Sequence, residues 1–287
     1  MQQKYPSDML RIWIEAMRLR TLPVSLAGVL AGTAAGWQTP APRLWPAVLC
    51  FVFALLSQIA SNFANEYYDF KGGLDRAGRD GPRRGVTEGD ISPRAMLAAT
   101  LLTLGMACVV GCSLIMWGGW WLVAVGVLIA AGVLAYSAGP WPLSHHGMGE
   151  VAVLFFFGLI PVNFTYWLVS GMIPGAEVVM LSVAVGLMGA NVLVVNNLRD
   201  RSDDAAVGKH TLAVMFGERF AAGLYLADGL VATALLWSWR PWWPLVYLAG
   251  HLLLSARVWR ARGRKLNPLL GMTAVWMFAT VLLLSLV

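Results

Sequence analysis

The sequence predicts an all-α, polytopic membrane protein, and three observations carry that expectation. Hydrophobic residues make up 58% of the 287 and charged residues only 13%, where a soluble globule carries roughly 25%. The apolar residues lie in continuous runs of about twenty, the length of a helix across a bilayer. The basic residues collect in blocks between alternate runs. With a mean hydropathy of +0.65, a water-soluble globule, a disordered chain and a fibrous repeat are excluded. A transmembrane barrel needs shorter segments of alternating polarity, which these runs are not. One integral-membrane domain over 1–287 is expected.

Nine spans are expected, near 22–38, 44–64, 95–117, 120–138, 150–170, 177–197, 219–239, 241–257 and 267–287. The first ends in the small residues Ala31-Gly-Thr-Ala-Ala-Gly36, a pattern shared with signal-peptide cleavage regions, and is counted as a true span. Trp37 and Trp45 separate spans 1 and 2; Trp117, Trp120 and Trp121 separate spans 3 and 4; Trp167 closes span 5; Trp237, Trp239, Trp242 and Trp243 separate spans 7 and 8. They form an aromatic belt at one interface. At the other interface lie the N-terminal tail and the loops after spans 2, 4, 6 and 8, which hold every Lys and Arg except Arg43 and Arg240. The positive-inside rule then sets the N-terminus in the cytoplasm and the C-terminus outside. The net charge of +6 is accounted for by orientation and calls for no nucleic-acid partner. The basic cluster from Arg257 to Lys265 is expected to meet anionic membrane lipids. Cys50, Cys108 and Cys112 sit in apolar stretches and read as small hydrophobes.

The acidic residues mark the chemistry. Six of the fifteen lie between Glu66 and Asp90 and three between Asp200 and Asp204, at the cytoplasmic ends of spans 2 and 6. Asn62, Asn65 and Asp69 fall at i, i+3 and i+7 and share one helix face. So do Asn196, Asp200 and Asp204 at i, i+4 and i+8. Carboxylates and amides at this density suit a hard divalent cation such as Mg2+, which shares its shell with water and phosphate. Neither stripe holds a His or Cys, which argues against zinc. Lys71, Arg76, Arg79, Arg84, Arg199 and Lys209 lie among them, as phosphate oxygens require. His145, His146 and Glu150 read either as loop surface or as groups handling a proton or a substrate carboxylate. Asp228, inside span 7, is assigned no role. The two stripes stand four helices apart, which hints at two four-helix units plus a ninth helix.

At these stripes the sequence resembles the UbiA superfamily of intramembrane aromatic prenyltransferases, and within it the branch acting on 1,4-dihydroxy-2-naphthoate. Five residues separate Asp69 from Asp75, followed by Arg79-Asp-Gly81-Pro82-Arg-Arg84-Gly85. The second motif reads Asn196-Asn-Leu-Arg-Asp200, then Asp204, then Gly208-Lys209-His-Thr211-Leu212. Arg20-Thr21-Leu22-Pro23, Tyr136-Ser-Ala-Gly139-Pro140 and Gly147-Met-Gly149-Glu150 also fit. The resemblance runs from about residue 11 to 217; Glu66 departs from it, standing where the family more often has Asp.

The resemblance implies transfer of a polyprenyl group from its allylic diphosphate to dihydroxynaphthoate, with loss of carbon dioxide and diphosphate, in menaquinone biosynthesis. It implies Mg2+ held by Asn65, Glu66, Asp69, Asp75, Asp200 and Asp204. Asn62, Arg79, Arg84, Asn197, Lys209, Arg20 and Tyr136 would bind the donor diphosphate. Asp69, Asp200, Lys71 and Arg199 would promote its ionisation. The expected location is the bacterial inner membrane, with the site facing the cytoplasm. Another aromatic acceptor, such as hydroxybenzoate or homogentisate, is the alternative within this class. A transporter is the alternative outside it, opposed by acidic groups gathered at one membrane end rather than the midplane.

Overall fold

A computed structural model describes residues 6–75, 83–239 and 242–286, and is all-helical over them. A short amphipathic helix, α1 (Pro6–Ala16), precedes the apolar runs. The chain then turns through Arg18, whose φ of 51° is left-handed, into α2 (Leu22–Trp37). Next come α3 (Leu44–Lys71), α4 (Pro93–Ser113), the single turn α5 (Ile115–Gly118) and α6 (Leu122–Ala135). α7 (Gly149–Val153) continues through a π-helical stretch, Leu154–Leu159, into α8 (Ile160–Ser170). The chain ends with α9 (Ala176–Ala206), α10 (Leu212–Leu236), α11 (Pro244–Arg260) and α12 (Asn267–Leu286).

The helix ends follow from local chemistry. Ser92 caps α4, its Oγ accepting from Ala95 N at 3.2 Å, with Pro93 in the first turn. Thr211 caps α10 through Val214 N at 3.4 Å. Gly171, at φ 74°, closes α8. Two helices run further than their apolar spans: α3 continues to Lys71 and α9 to Ala206. The polar stripes beyond residues 64 and 197 stay helical with their side chains bonded to other segments: Asn65 to Ser137, Asp69 to Lys209, Asn197 to Glu150 and Arg199 to Asn267. α10 begins at Leu212, ahead of the expected span, and bends at Gly217, whose φ of 86° breaks the helical path.

Among the described residues six stretches are long and apolar enough to cross a membrane: Leu44–Lys71, Pro93–Gly118, Gly149–Ser170, Ala176–Ala206, Leu212–Leu236 and Gly263–Leu286. The chain is therefore an integral membrane protein. α6 is apolar but shorter, and α2 and α11 have 16 and 17 residues. α9 is the most enclosed; its apolar side chains form the main core with those of α2, α10, α11 and α12. α2 reaches α8 closely through Gly28, Gly32 and Gly36, where a Cβ would strike Phe157, Val162 or Val169. Gly158 meets the backbone of Gly186 on α9 in the same way. Small residues are how helices approach one another where lipid removes the hydrophobic drive. α3 and α4 form a hairpin against which α6 packs.

Candidate active site

The polar stripes of α3 and α9 face each other across a cavity of about 670 Å³. From α3 it is lined by Asn62, Asn65 and Asp69; from α9 by Asn196, Asn197, Asp200 and Asp204. Arg18, Arg20, Arg84, Lys209 and Tyr136 complete its polar wall.

Asp69 is the most heavily contested group. Lys209 Nζ donates to its Oδ2 at 3.1 Å, Arg84 Nη2 stands 3.6 Å from the same oxygen, and His145 Nε2 stands 3.6 Å from Oδ1. Asp69 is buried, and Oδ1 has no hydrogen-bond donor among the described residues. Lys209 comes from the far half of the chain. Its path is set by Gly208, whose φ of 75° turns the chain after α9, and by Lys209 N donating to Asp204 O at 2.9 Å. Asn65 is the hub beside it. Its Oδ1 accepts from Arg18 at 2.7 Å and Arg84 at 3.1 Å, and its Nδ2 donates to Ser137 at 2.9 Å and Asp69 at 3.3 Å.

On α9, Arg199 grips Asp200 with two bonds of 2.7 and 2.8 Å. A fork of this kind fixes orientation as well as charge. The same guanidinium donates to Asn196 at 2.8 Å and Asn267 at 3.2 Å. Asn197 Nδ2 donates to the buried Glu150 at 2.9 Å. Asn62 is held by Met17 O at 2.8 Å and Gln58 at 3.2 Å, and the exposed Arg20 stands at the rim. At the mouth, His210 N donates to His145 O at 2.8 Å and joins the loop before α7 to the loop before α10.

Three residues expected in the metal set or beside it lie elsewhere. Glu66 is buried on the other face of α3, where its Oε1 accepts from Val86 N at 3.0 Å and pins the loop before α4. One position away from Asn65 is about 100° around a helix, so Glu66 cannot share the stripe. Asp75 lies 3.3 Å from Arg84 Nε, outside the cavity lining. Lys71 is exposed at the end of α3. Arg79 lies outside the described residues. Sequence reasoning overlooked Arg18, Ser137 and Asn267. Arg18 is indistinguishable there from the orienting charges of the tail, and Asn267 follows a basic turn that reads as a lipid anchor.

A second cavity of about 380 Å³ adjoins the first. It runs between α3, α4, α6 and α8, and side chains such as Val29, Phe53, Leu104, Val133, Phe156 and Leu168 make it apolar. Gln58, Ser61, Tyr136, Val153 and Phe157 line both cavities and form their common wall.

The donor set fits a magnesium ion shared with phosphate. Asp69, Asp200 and Asp204 with Asn65 and Asn196 supply hard oxygens around one cavity, and the buried Oδ1 of Asp69 lacks a hydrogen bond. Among the described residues no three His, Cys, Asp or Glu come together as an all-protein cage. Magnesium is usually bound through one or two carboxylates with substrate phosphates and water filling the rest.

Residues 25–282 match the model of the UbiA prenyltransferase family. A 1,4-dihydroxy-2-naphthoate octaprenyltransferase of Mycobacterium tuberculosis is 36% identical over 94% of each chain. The enzyme of that name from Haemophilus influenzae is 34% identical over 82% of each. Among solved structures, a UbiA homolog from Archaeoglobus fulgidus bound to GPP and Mg2+ superposes with a TM-score of 0.68 at 16% identity, covering 96% of this chain and all of that one. A UbiA homolog from Aeropyrum pernix gives 0.69 at 18% identity, covering 92% and 96%.

Proposed function

The chain belongs to the UbiA prenyltransferase family, and from that premise we propose how its two adjoining cavities act. It transfers a polyprenyl group from an allylic polyprenyl diphosphate to 1,4-dihydroxy-2-naphthoate, as the relatives' names describe. The observation that carries the division of labour is the pair of cavities meeting at Tyr136: one polar and carboxylate-lined, the other apolar.

In this reading the diphosphate lies between α3 and α9 and the tail in the apolar cavity. Mg2+ would be held by Asp69, Asp200 and Asp204 with Asn65 and Asn196, and when bound it neutralises charge on the leaving diphosphate. Arg18, Arg84 and Lys209 gather around Asp69 and Asn65, where they offer further positive charge to the same oxygens. Arg199 holds Asp200 in place and so fixes the second carboxylate. The C–O bond of the allylic carbon breaks, and the electron-rich acceptor ring forms the new C–C bond. The diphosphate departs with the electron pair of the broken C–O bond. The acceptor's carboxylate then leaves as carbon dioxide from the carbon that was attacked, and its bonding pair returns to the ring and restores aromaticity. Tyr136 and Phe157 at the common wall keep water from the allylic cation, and the Tyr136 ring offers it a π face. The topology that accompanies this chemistry is nine spans with the N-terminus and the site on the cytoplasmic side of the bacterial inner membrane.

The test is an assay of the purified protein in detergent with a prenyl diphosphate, Mg2+ and carboxyl-labelled acceptor. Dihydroxynaphthoate is prenylated in preference to 4-hydroxybenzoate, the label leaves as carbon dioxide in step with product, and chelating the metal stops both. A better reaction with hydroxybenzoate, or a label retained in the product, would place the enzyme elsewhere in the family.

A further inference from the structure

The last turn of α11 and the turn into α12 together carry Arg257, Arg260, Arg262, Arg264 and Lys265 within nine positions. Arg262 is occupied: it pairs with Glu218 and donates to Trp259 O at 3.0 Å and Ala261 O at 2.7 Å. Arg264 has an interaction of its own. Arg257, Arg260 and Lys265 are exposed, and their side chains form no hydrogen bond or ion pair among the described residues. Two of these stand on a helix face that is apolar further up. Val246, Leu253, Arg257 and Arg260 fall at i, i+7, i+11 and i+14, one stripe of α11. Val246 and Leu253 are 45% and 68% exposed, and Trp259, between the two arginines in the chain, is 48% exposed. Acyl-contacting side chains give way along α11 to a band of two cations with an exposed tryptophan between them, which matches the passage from the tails of a phospholipid to its headgroup.

The turn is also joined to the active site. Buried Leu266 ends it, and the next residue, Asn267, accepts from Arg199 Nη1 at 3.2 Å, while Arg199 grips Asp200. Leu270, one turn further along α12, lines the polar cavity.

We propose that the α11–α12 turn docks the headgroup of an anionic phospholipid, and that docking braces Asn267 against Arg199 and so steadies Asp200. An acidic protein partner would use the cations and leave the exposed Leu253 stripe without purpose; a lipid uses both. Each cation near a membrane surface is worth about a fivefold preference for anionic lipid, so three give up to roughly a hundredfold before screening.

The test compares the full chain with an Arg257→Gln, Arg260→Gln, Lys265→Gln variant, none of which touches the cavity. Bound lipid is counted by native mass spectrometry with phosphatidylglycerol or phosphatidylcholine. Turnover and the KM for prenyl diphosphate are measured in vesicles of phosphatidylcholine alone and with added phosphatidylglycerol. The parent retains phosphatidylglycerol in preference and the variant loses most of that preference; both turn over alike in neutral vesicles, and only the parent shows a lower donor KM when phosphatidylglycerol is present. Equal retention by the variant overturns the docking surface. Lost retention with an unchanged lipid response overturns the bracing. The turnover half rests on the prenyl-transfer reading; absence of turnover in every vesicle would count against that reading while the binding half still decides the surface.

Discussion

At the scale of single residues, the two stripes divide sharply into groups that face the cavity and groups that do not. Asp69→Ala and Asp200→Ala each remove a carboxylate from the cavity wall, and turnover should fall by about a hundredfold to a thousandfold, with the fold intact by circular dichroism. The loss should appear in ionisation of the donor and leave the acceptor KM near its parent value. Glu66 offers the contrast. Glu66→Gln keeps an oxygen for Val86 N, so turnover should stay near the parent's. Glu66→Ala leaves that buried N–H without its acceptor and should cost about 1–3 kcal/mol, read as a lower melting temperature. If Glu66→Gln instead falls as far as Asp69→Ala, Glu66 serves the metal after all. Spacing alone identified Asn62, Asn65 and Asp69, because i, i+3 and i+7 can only share a face. It could not identify Arg18 and Asn267, which line the cavity, or Ser137, which bonds Asn65 behind it, because contacts between distant parts of the chain have no sequence period.

At the scale of elements, the apolar runs were legible because lipid demands them, and their centres fall where the helices are. Their ends were not. α3 and α9 outlast their apolar cores because polar groups at the ends pair across the bundle, and hydropathy does not register that. The small residues of α2 share a pattern with processing sites but were counted as a span, and in the fold they are the surface on which α8 rests. Gly158 makes the same point more severely, since a Cβ there would run into the backbone of Gly186, which has no side chain to move aside. Gly158→Ala should therefore cost about 1–3 kcal/mol, measured as loss of thermal stability in detergent. Gly126→Ala is the control, because nothing stands within 4 Å of a Cβ at that site.

At the scale of the whole molecule, the bundle sets a wet end against a dry groove, and each half of that arrangement has its own test. Orientation is checked by single cysteines in a variant without Cys50, Cys108 and Cys112: one placed in the N-terminal tail should react with an impermeant maleimide only after the cells are opened, and one placed after α12 should react in intact cells. The groove is checked at Gly126, which lines the apolar cavity and has open space around it. Gly126→Phe should shorten the tail the protein accepts, raising KM for long-chain donors while kcat with a short donor stays near the parent's. Equal loss for both lengths would mean the tail runs elsewhere.

The wall shared by the two cavities has a consequence for how such a protein changes over generations. Gln58, Ser61, Tyr136, Val153 and Phe157 line both cavities, so with the diphosphate in one and the tail in the other, as proposed, they stand at the first unit of the donor whatever lies beyond them. Substitutions along α4 and α6 can therefore retune the length of lipid a cell makes without disturbing the step that makes it. Substitutions in the wall have no such freedom, because they answer to both cavities at once. Variation in a lineage should then be unevenly spread, permissive along the groove and severe at five positions.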